Sequence, residues 1–184
     1  MSEQKSDNTV KYIKWFWTLF VAGIAGLALL FFLIAKGFLG FMPTFGDLEN
    51  PKNILASEIY SADGKIVDKY FISENRTFVG YENLPPNLIK ALIATEDIRF
   101  YKHSGIDLRG LLRVLKGVIF GNTSSGGGST LTQQLAKMLF PRENFSNSLQ
   151  LVLRKFREWV IAVKLERSYT KEEIILMYLN KYDF

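Results

Sequence analysis

A mainly α-helical chain with one transmembrane helix and one short β-hairpin is the fold class this sequence predicts. Three observations carry that reading. Trp15 to Ala35 is an uncharged run dominated by Phe, Leu, Ile, Val, Ala and Gly. Residues 57–79 alternate apolar and polar around Ala62-Asp63-Gly64, the period of paired strands joined by a turn. From Pro85 onward apolar residues recur at three- and four-residue spacing, the period of helices with one buried side.

Residues 1–14 are polar and read as a flexible cytoplasmic tail. Lys5, Lys11 and Lys14 stand there against Glu3 and Asp7. Ser2-Glu3-Gln4-Lys5 matches the S-x-x-K pattern of penicillin-reactive serines, but a flexible tail offers no scaffold to position the serine. Residues 15–35, as a helix, span roughly 31 Å, close to the hydrocarbon thickness of a bilayer. A signal peptide has a shorter apolar core, so an uncleaved signal-anchor is expected. Trp15 and Trp17 suit the membrane–water interface, and Lys11 and Lys14 place the N-terminus in the cytoplasm, with Lys36 opposing slightly. A buried core helix fits less well, because no side of this run is polar. Residues 36–84 read as a juxtamembrane linker and the hairpin.

Residues 85–184 hold the remaining helices. Pro85-Pro86 opens one whose apolar stripe is Leu88, Ile89, Leu92 and Ile93. It ends in the carboxylate pair Glu96-Asp97. Asp107 is placed to cap the next helix, with apolar positions Leu108, Leu111, Leu112, Leu115, Val118 and Ile119. A helix follows the glycines at 126–128 and ends at Phe140-Pro141-Arg142. Leu149 to Arg167 is a long helical pattern, and Thr170-Lys171-Glu172-Glu173 is a capping box for a last helix from Glu172 to Asn180.

Composition narrows the chemistry. The 184 residues carry a net charge of +5, no cysteine and one histidine. Disulfides and thiolate metal sites are excluded, and a zinc site is disfavoured. A Ser-His-Asp triad would need His103, and no nucleophile elbow accompanies it. Nucleic-acid binding is disfavoured, since the basic residues are not interleaved with exposed aromatics and the anchor sends the domain out of the cytoplasm.

The informative stretch is Gly126-Gly127-Gly128-Ser129-Thr130-Leu131-Thr132-Gln133-Gln134-Leu135-Ala136-Lys137. Ser129 or Thr130 can cap a helix there. Thr130, Gln133, Gln134 and Lys137 then fall along one side of it. Open N–H groups, a helix N-terminus and a lysine suit an anion, most naturally a phosphate. A Walker loop fails, because Gly127 stands where its lysine belongs. A plain glycine linker before a helix is the competing reading. Upstream, Glu96 at the apolar end of a helix is a candidate for desolvation, which suits a general base. Downstream, Lys155 and Glu158 share one helical face, as a surface ion pair or as part of a site. The basic stretch from Lys137 to Arg167, which includes Arg142, could hold a diphosphate. His103 is expected to hold the loop after Glu96.

Glu96-Asp97-x-x-Phe100-x-x-His103-x-Gly105, Gly127-Gly128-Ser129-Thr130-x-Thr132-Gln133-Gln134-x-x-Lys137, Arg154-Lys155-x-x-Glu158 and Ile175-Leu176-Met177-Tyr178-Leu179-Asn180 follow one another in order. This resembles the peptidoglycan glycosyltransferases of family 51, over about residues 85–184. The resemblance implies a lysozyme-like helical domain that joins lipid II into glycan strands on the outer face of the cytoplasmic membrane, with other cell-wall synthesis proteins as possible partners. By position, Glu96 matches the catalytic glutamate that takes the proton of the acceptor 4-hydroxyl, while undecaprenyl diphosphate leaves with inversion. Glu158 matches the second catalytic glutamate, which organises the donor side with a metal (Mg2+ or Mn2+) or with basic residues. Beyond that Mg2+ or Mn2+ the resemblance implies no cofactor. Lys137, Arg154 and Lys155 match groups near the diphosphate. Asp97, Phe100, His103, Ser129, Thr130, Gln133 and Gln134 match substrate-binding residues that shape the cleft.

Two departures stand out. Met177 replaces a usual glutamate, and the family's domain continues past Asn180, so the chain reads as an incomplete, C-terminally truncated piece. A non-catalytic lipid II-binding scaffold is the alternative. A glycan hydrolase is disfavoured, since hydrolysis needs no diphosphate site. The glycines from Gly121 to Gly128 are expected to form a mobile flap over the cleft.

Overall fold

The computed structural model describes residues 2–40, 42–44, 46–47, 57–70, 78–121, 126–140 and 147–182, with backbone alone for 2–8. The chain divides into two compact units, Met1–Met42 and Pro43–Phe184.

The first unit is one helix, α1 (Ser2–Ala35). Its segment Thr9–Ala35 spans 27 residues at mean hydropathy 2.6, and among the described residues it is the one helix long and apolar enough to cross a membrane. Its large apolar side chains, such as Leu19, Val21 and Ile24, stand exposed. Phe16, Trp17 and Phe20 pack edge to face near its N-terminal end, as an interfacial aromatic belt would. The helix begins at Ser2, so residues 2–14 of the expected flexible tail are instead a helical extension. The reason is local: no Gly or Pro interrupts residues 2–14, so the hydrogen-bond ladder continues upstream.

The second unit opens with the hairpin. β1 (Ser57–Tyr60) pairs antiparallel with β2 (Ile66–Tyr70), Ser57 opposite Tyr70, with an irregular register at Ile59/Tyr60. Gly64 takes φ +76° in the turn, and the Ser61 amide donates to the Lys65 carbonyl at 2.9 Å. The rest of the expected hairpin includes residues 71–77, which lie outside the described residues.

Among the described residues five α-helices follow: α2 (Pro86–Glu96), α3 (Leu108–Ile119), α4 (Leu131–Leu139), α5 (Ser148–Ser168) and α6 (Lys171–Lys181). The core lies where the last three meet. Leu131, Leu135 and Ala136 of α4, Ile161, Ala162 and Leu165 of α5, and Ile174, Ile175 and Tyr178 of α6 are buried, and Phe100 joins them from the loop after α2. Each helix of this trio has a side-chain cap. Thr130 Oγ1 accepts from the Gln133 amide at 3.2 Å, and Asn147 Oδ1 from the Leu149 amide at 3.4 Å. The expected capping box forms on α6, with Thr170 and Glu173 serving each other's amides. Asn180 pairs with both backbone groups of Val79, at 2.9 and 3.0 Å, tying the end of α6 to the strand-like approach to α2.

Two sequence expectations change. Asp107 occupies the N-cap position of α3, but its carboxylate makes no cap bond and turns to Arg99. The apolar positions of α3 do not enter the core: Leu108, Leu112, Leu115, Val118 and Ile119 all stand exposed, Val118 at 74%. Helical period alone says that one side is apolar. It does not say what covers that side.

Candidate active site

The site is assembled around the loop between α2 and α3. Asp97 ends α2 and is buried. Its carboxylate accepts from the Leu131 amide at 3.1 Å, at the N-terminus of α4, and from His103 Nε2 at 3.0 Å. An anion in the first turn of a helix is favoured by the helix dipole. The ionised carboxylate can only accept, so Nε2 of His103 donates to it, and Nδ1 finds no hydrogen-bond partner among the described residues. His103 thus ties the loop back to the end of α2.

Gly105 completes this floor. It takes φ +87°, and a Cβ there would lie 2.9 Å from the Ala162 carbonyl carbon, so only glycine lets the loop touch α5. The Gly105 carbonyl accepts from Thr130 Oγ1 at 2.8 Å and from Gln133 Nε2 at 3.0 Å. Beneath it, Lys171 Nζ stands 4.1 Å over the Phe100 ring, donates to the His103 carbonyl at 2.8 Å and pairs with Glu166 at 2.7 Å. Thr132 Oγ1 donates to the same Glu166 at 2.6 Å.

Above this floor lies a cavity of about 380 Å³ lined by Glu96, Asp97, Arg99, Arg113, Ser129, Thr130 and Gln134, together with the backbone of residues 126–128. Glu96 is exposed to solvent, so the apolar end of α2 does not bury it. Gln134 Nε2 donates to Glu96 Oε2 at 2.7 Å. Arg113 Nη2 donates to the Gly127 carbonyl at 3.2 Å and seats the glycine arm on α3. Ser129 connects the cavity to α5. Its hydroxyl accepts from Lys155 Nζ at 2.9 Å, and the same ammonium lies 3.0 Å from Glu158 Oε2. Arg154 Nε approaches the other Glu158 oxygen at 3.9 Å. Glu158 is 8% exposed, so the bland surface ion pair is not what forms.

Of the residues singled out in the sequence, Glu96, Asp97, Ser129, Thr130 and Gln134 line one cavity, and Lys155, Arg154 and Glu158 adjoin it through Ser129. Phe100, His103 and Gln133 lie beneath it, in the interior. Lys137 is exposed on α4, one turn past Gln133 and Gln134, and does not line the cavity. Residues 122–125 of the expected flap, and Pro141, Arg142 and Glu143, lie outside the described residues.

Arg99 and Arg113 were not singled out. Arg99 donates through Nε to Asp107 Oδ2 at 3.0 Å, and Nη2 reaches the same oxygen. Burial opposes ionisation of Asp107, but the bonds and charge of Arg99 and the nearby Gly110 amide outweigh it and hold its carboxyl below the ordinary value. For Arg113 a signal existed: Arg109, Arg113 and Lys116 recur at helical spacing beside the apolar stripe of α3.

The donor set does not fit a protein-held Mg2+ or Mn2+. Such ions take carboxylate and carbonyl oxygens. Glu158 is met by two cations, Asp97 by His103 and an amide, and no cluster of three His, Asp or Glu occurs among the described residues.

The sequence of the helical domain has known relatives. The family profile described as Transglycosylase matches residues 63–184, and the chain belongs to that family. Within it, the chain is 38% identical over 140 residues to penicillin-binding protein 1A of Escherichia coli (strain K12), a match covering 76% of this chain and 16% of that protein. It is 42% identical over 131 residues to penicillin-binding protein 1A of Clostridium novyi (strain NT), covering 68% of this chain and 15% of that protein. A third relative, penicillin-binding protein 1A of Haemophilus influenzae, is 42% identical over 125 residues, covering 67% and 14%. The chain therefore matches only about a sixth of the length of these relatives.

Proposed function

We propose that the protein is a membrane-anchored peptidoglycan glycosyltransferase. It extends glycan strands from lipid II and releases undecaprenyl diphosphate, with inversion at the donor C1. The observation that carries this reading is the pairing across one cavity of a carboxylate, Glu96, with a cationic cluster of Lys155 and Arg154 reached through Ser129.

The chemistry divides between these walls. Glu96 takes the proton from the acceptor 4-hydroxyl as that oxygen bonds to the donor C1. The C1–O bond to the diphosphate breaks, and the electron pair leaves with the phosphate oxygen. Negative charge grows there, and fixed cations stabilise it. Lys155 and Arg154 supply that charge, and buried Glu158 holds both in place; Lys137, exposed on α4, is carried over by its position in the motif alone. Ser129 and Gln134 contact the sugars or phosphates, and Thr130 supports them as the buried cap of α4. Asp97, Phe100, His103 and Gln133 shape the floor that carries Glu96. No step is routed through a metal.

A lipid-linked substrate calls for an enzyme at the bilayer. α1 supports an inner-membrane anchor with the N-terminus cytoplasmic and the second unit on the outer face. The exposed apolar side of α3, flanked by Arg109 and Lys116, supports contact of the second unit with an anionic lipid surface.

The test is Glu96→Gln in the intact protein, with lipid II polymerisation followed by gel. Loss of polymer with lipid II still bound is expected. Unchanged polymer length and rate would remove Glu96 as the base. Wild-type binding without any turnover would favour a lipid II-binding scaffold.

A further inference from the structure

Gln134 is held at both ends. Its Nε2 donates to Glu96 Oε2 at 2.7 Å, and its Oε1 accepts from the Tyr178 hydroxyl at 3.1 Å. A side-chain amide can present either end, so its partners decide which way it points. The ionised Glu96 only accepts, so the NH2 end must face it. The carbonyl end then points inward and needs a donor.

Tyr178 supplies that donor. It sits on α6, is 1% exposed and does not line the cavity. Its ring stacks on Tyr182 with centroids 5.1 Å apart, which fixes where the hydroxyl points. Burial first, then the charge of Glu96 and then Tyr182 push the phenol up to about 12, so it keeps its proton at any working pH. The capping box of Thr170 and Glu173 anchors the start of α6, two turns before Tyr178.

We propose that Tyr178 is a positioning residue: it orients the Gln134 amide, and through it fixes which oxygen of Glu96 is left facing the cavity. The inference rests on the reading of Glu96 as the base. Without the hydroxyl, the Gln134 carbonyl loses its buried donor and the amide can turn over. Its oxygen would then meet the carboxylate, and Glu96 would swing from its place. Tyr178 touches no substrate, so its effect belongs to kcat and passes entirely through Gln134.

A double-mutant cycle in the intact protein tests this, with lipid II polymerisation as the assay and Glu96→Gln as the reference. Tyr178→Phe, Gln134→Met and the double variant are compared. Tyr178→Phe should lower kcat about tenfold with KM little changed, the size expected for one hydrogen bond in a charged network. In the Gln134→Met background the same change should cost nothing further. An equal loss in both backgrounds, or no loss in the wild-type background, overturns the role of Tyr178. If Glu96→Gln keeps its activity, the reading of the base fails instead, whatever the cycle shows. Should the Phe variant not fold, exchange of the Gln134 side-chain amide in the wild-type protein decides. Slow exchange is expected for an amide held at both ends, and exchange at the solvent rate overturns it.

Discussion

Lys155 Nζ donates to Ser129 Oγ at 2.9 Å, and this bond joins α5 to the residue that leads into α4. It also places the ammonium, already paired with the buried carboxylate of Glu158, at the edge of the cavity that holds Glu96. Lys155→Met should therefore reduce kcat/KM for lipid II by on the order of a hundredfold, the usual effect of losing one preorganised group at a developing charge. Ser129→Ala should cost about tenfold, since the ammonium remains but loses its guide. Polymerisation rates measured side by side check the order, and a larger effect for Ser129→Ala would contradict it.

Gly105 is the residue least able to change. Its φ of +87° and the 2.9 Å approach of a Cβ to the Ala162 carbonyl group act together. Gly105→Ala should destabilise the protein by on the order of 3 kcal/mol, from backbone strain and overpacking combined. Thermal unfolding measures this. A melting temperature like that of wild type would show that the loop can lift from α5 at little cost.

Lys171 should matter for folding rather than chemistry. Its partner Glu166 is 4% exposed at the side chain, so Lys171→Met leaves a buried charge unpaired, at a cost of roughly 3–5 kcal/mol. Adding Glu166→Gln should recover part of the loss, because the orphaned charge is then gone. If the second change makes unfolding easier still, the pair is not the source of the effect.

Acid should weaken the Arg99–Asp107 bridge. The Asp107 carboxyl is held below its ordinary value of 3.8, so the folded protein binds that proton less readily than the unfolded chain. The stability it brings is complete above the ordinary value and is lost as pH falls through the folded one. Asp107→Asn should thus be less stable than wild type near neutral pH, with the gap closing in acid. Denaturant midpoints at several pH values test this, and a gap that stays constant down to pH values near 2 would refute the linkage.

The helices were largely legible because their signals are local. Thr130, Thr170 and Glu173 act on amides within one turn, so capping could be read from spacing. The uncharged run from Trp15 to Ala35 needs no partner to be recognised. Asp107 misled for the complementary reason. Its position suits a cap, but Arg99, eight residues earlier, takes up its carboxylate once the loop folds back. The α3 stripe misled likewise, since its period was right and its neighbours were not predictable.

The sequence by itself determined the order of the elements, the membrane-type helix, and which residue types could carry a base and a cationic cluster. Those depend on composition and on contacts a few residues apart. Only the tertiary structure decided which groups meet. It brought Glu96 to Gln134 across 38 residues and Gln134 to Tyr178 across 44, and it sank Glu158 and Gln133 while leaving Lys137 exposed. Such pairings follow from how three capped helices pack around Leu135, Ala162 and Ile174, and packing is a property of the whole fold that no local spacing encodes.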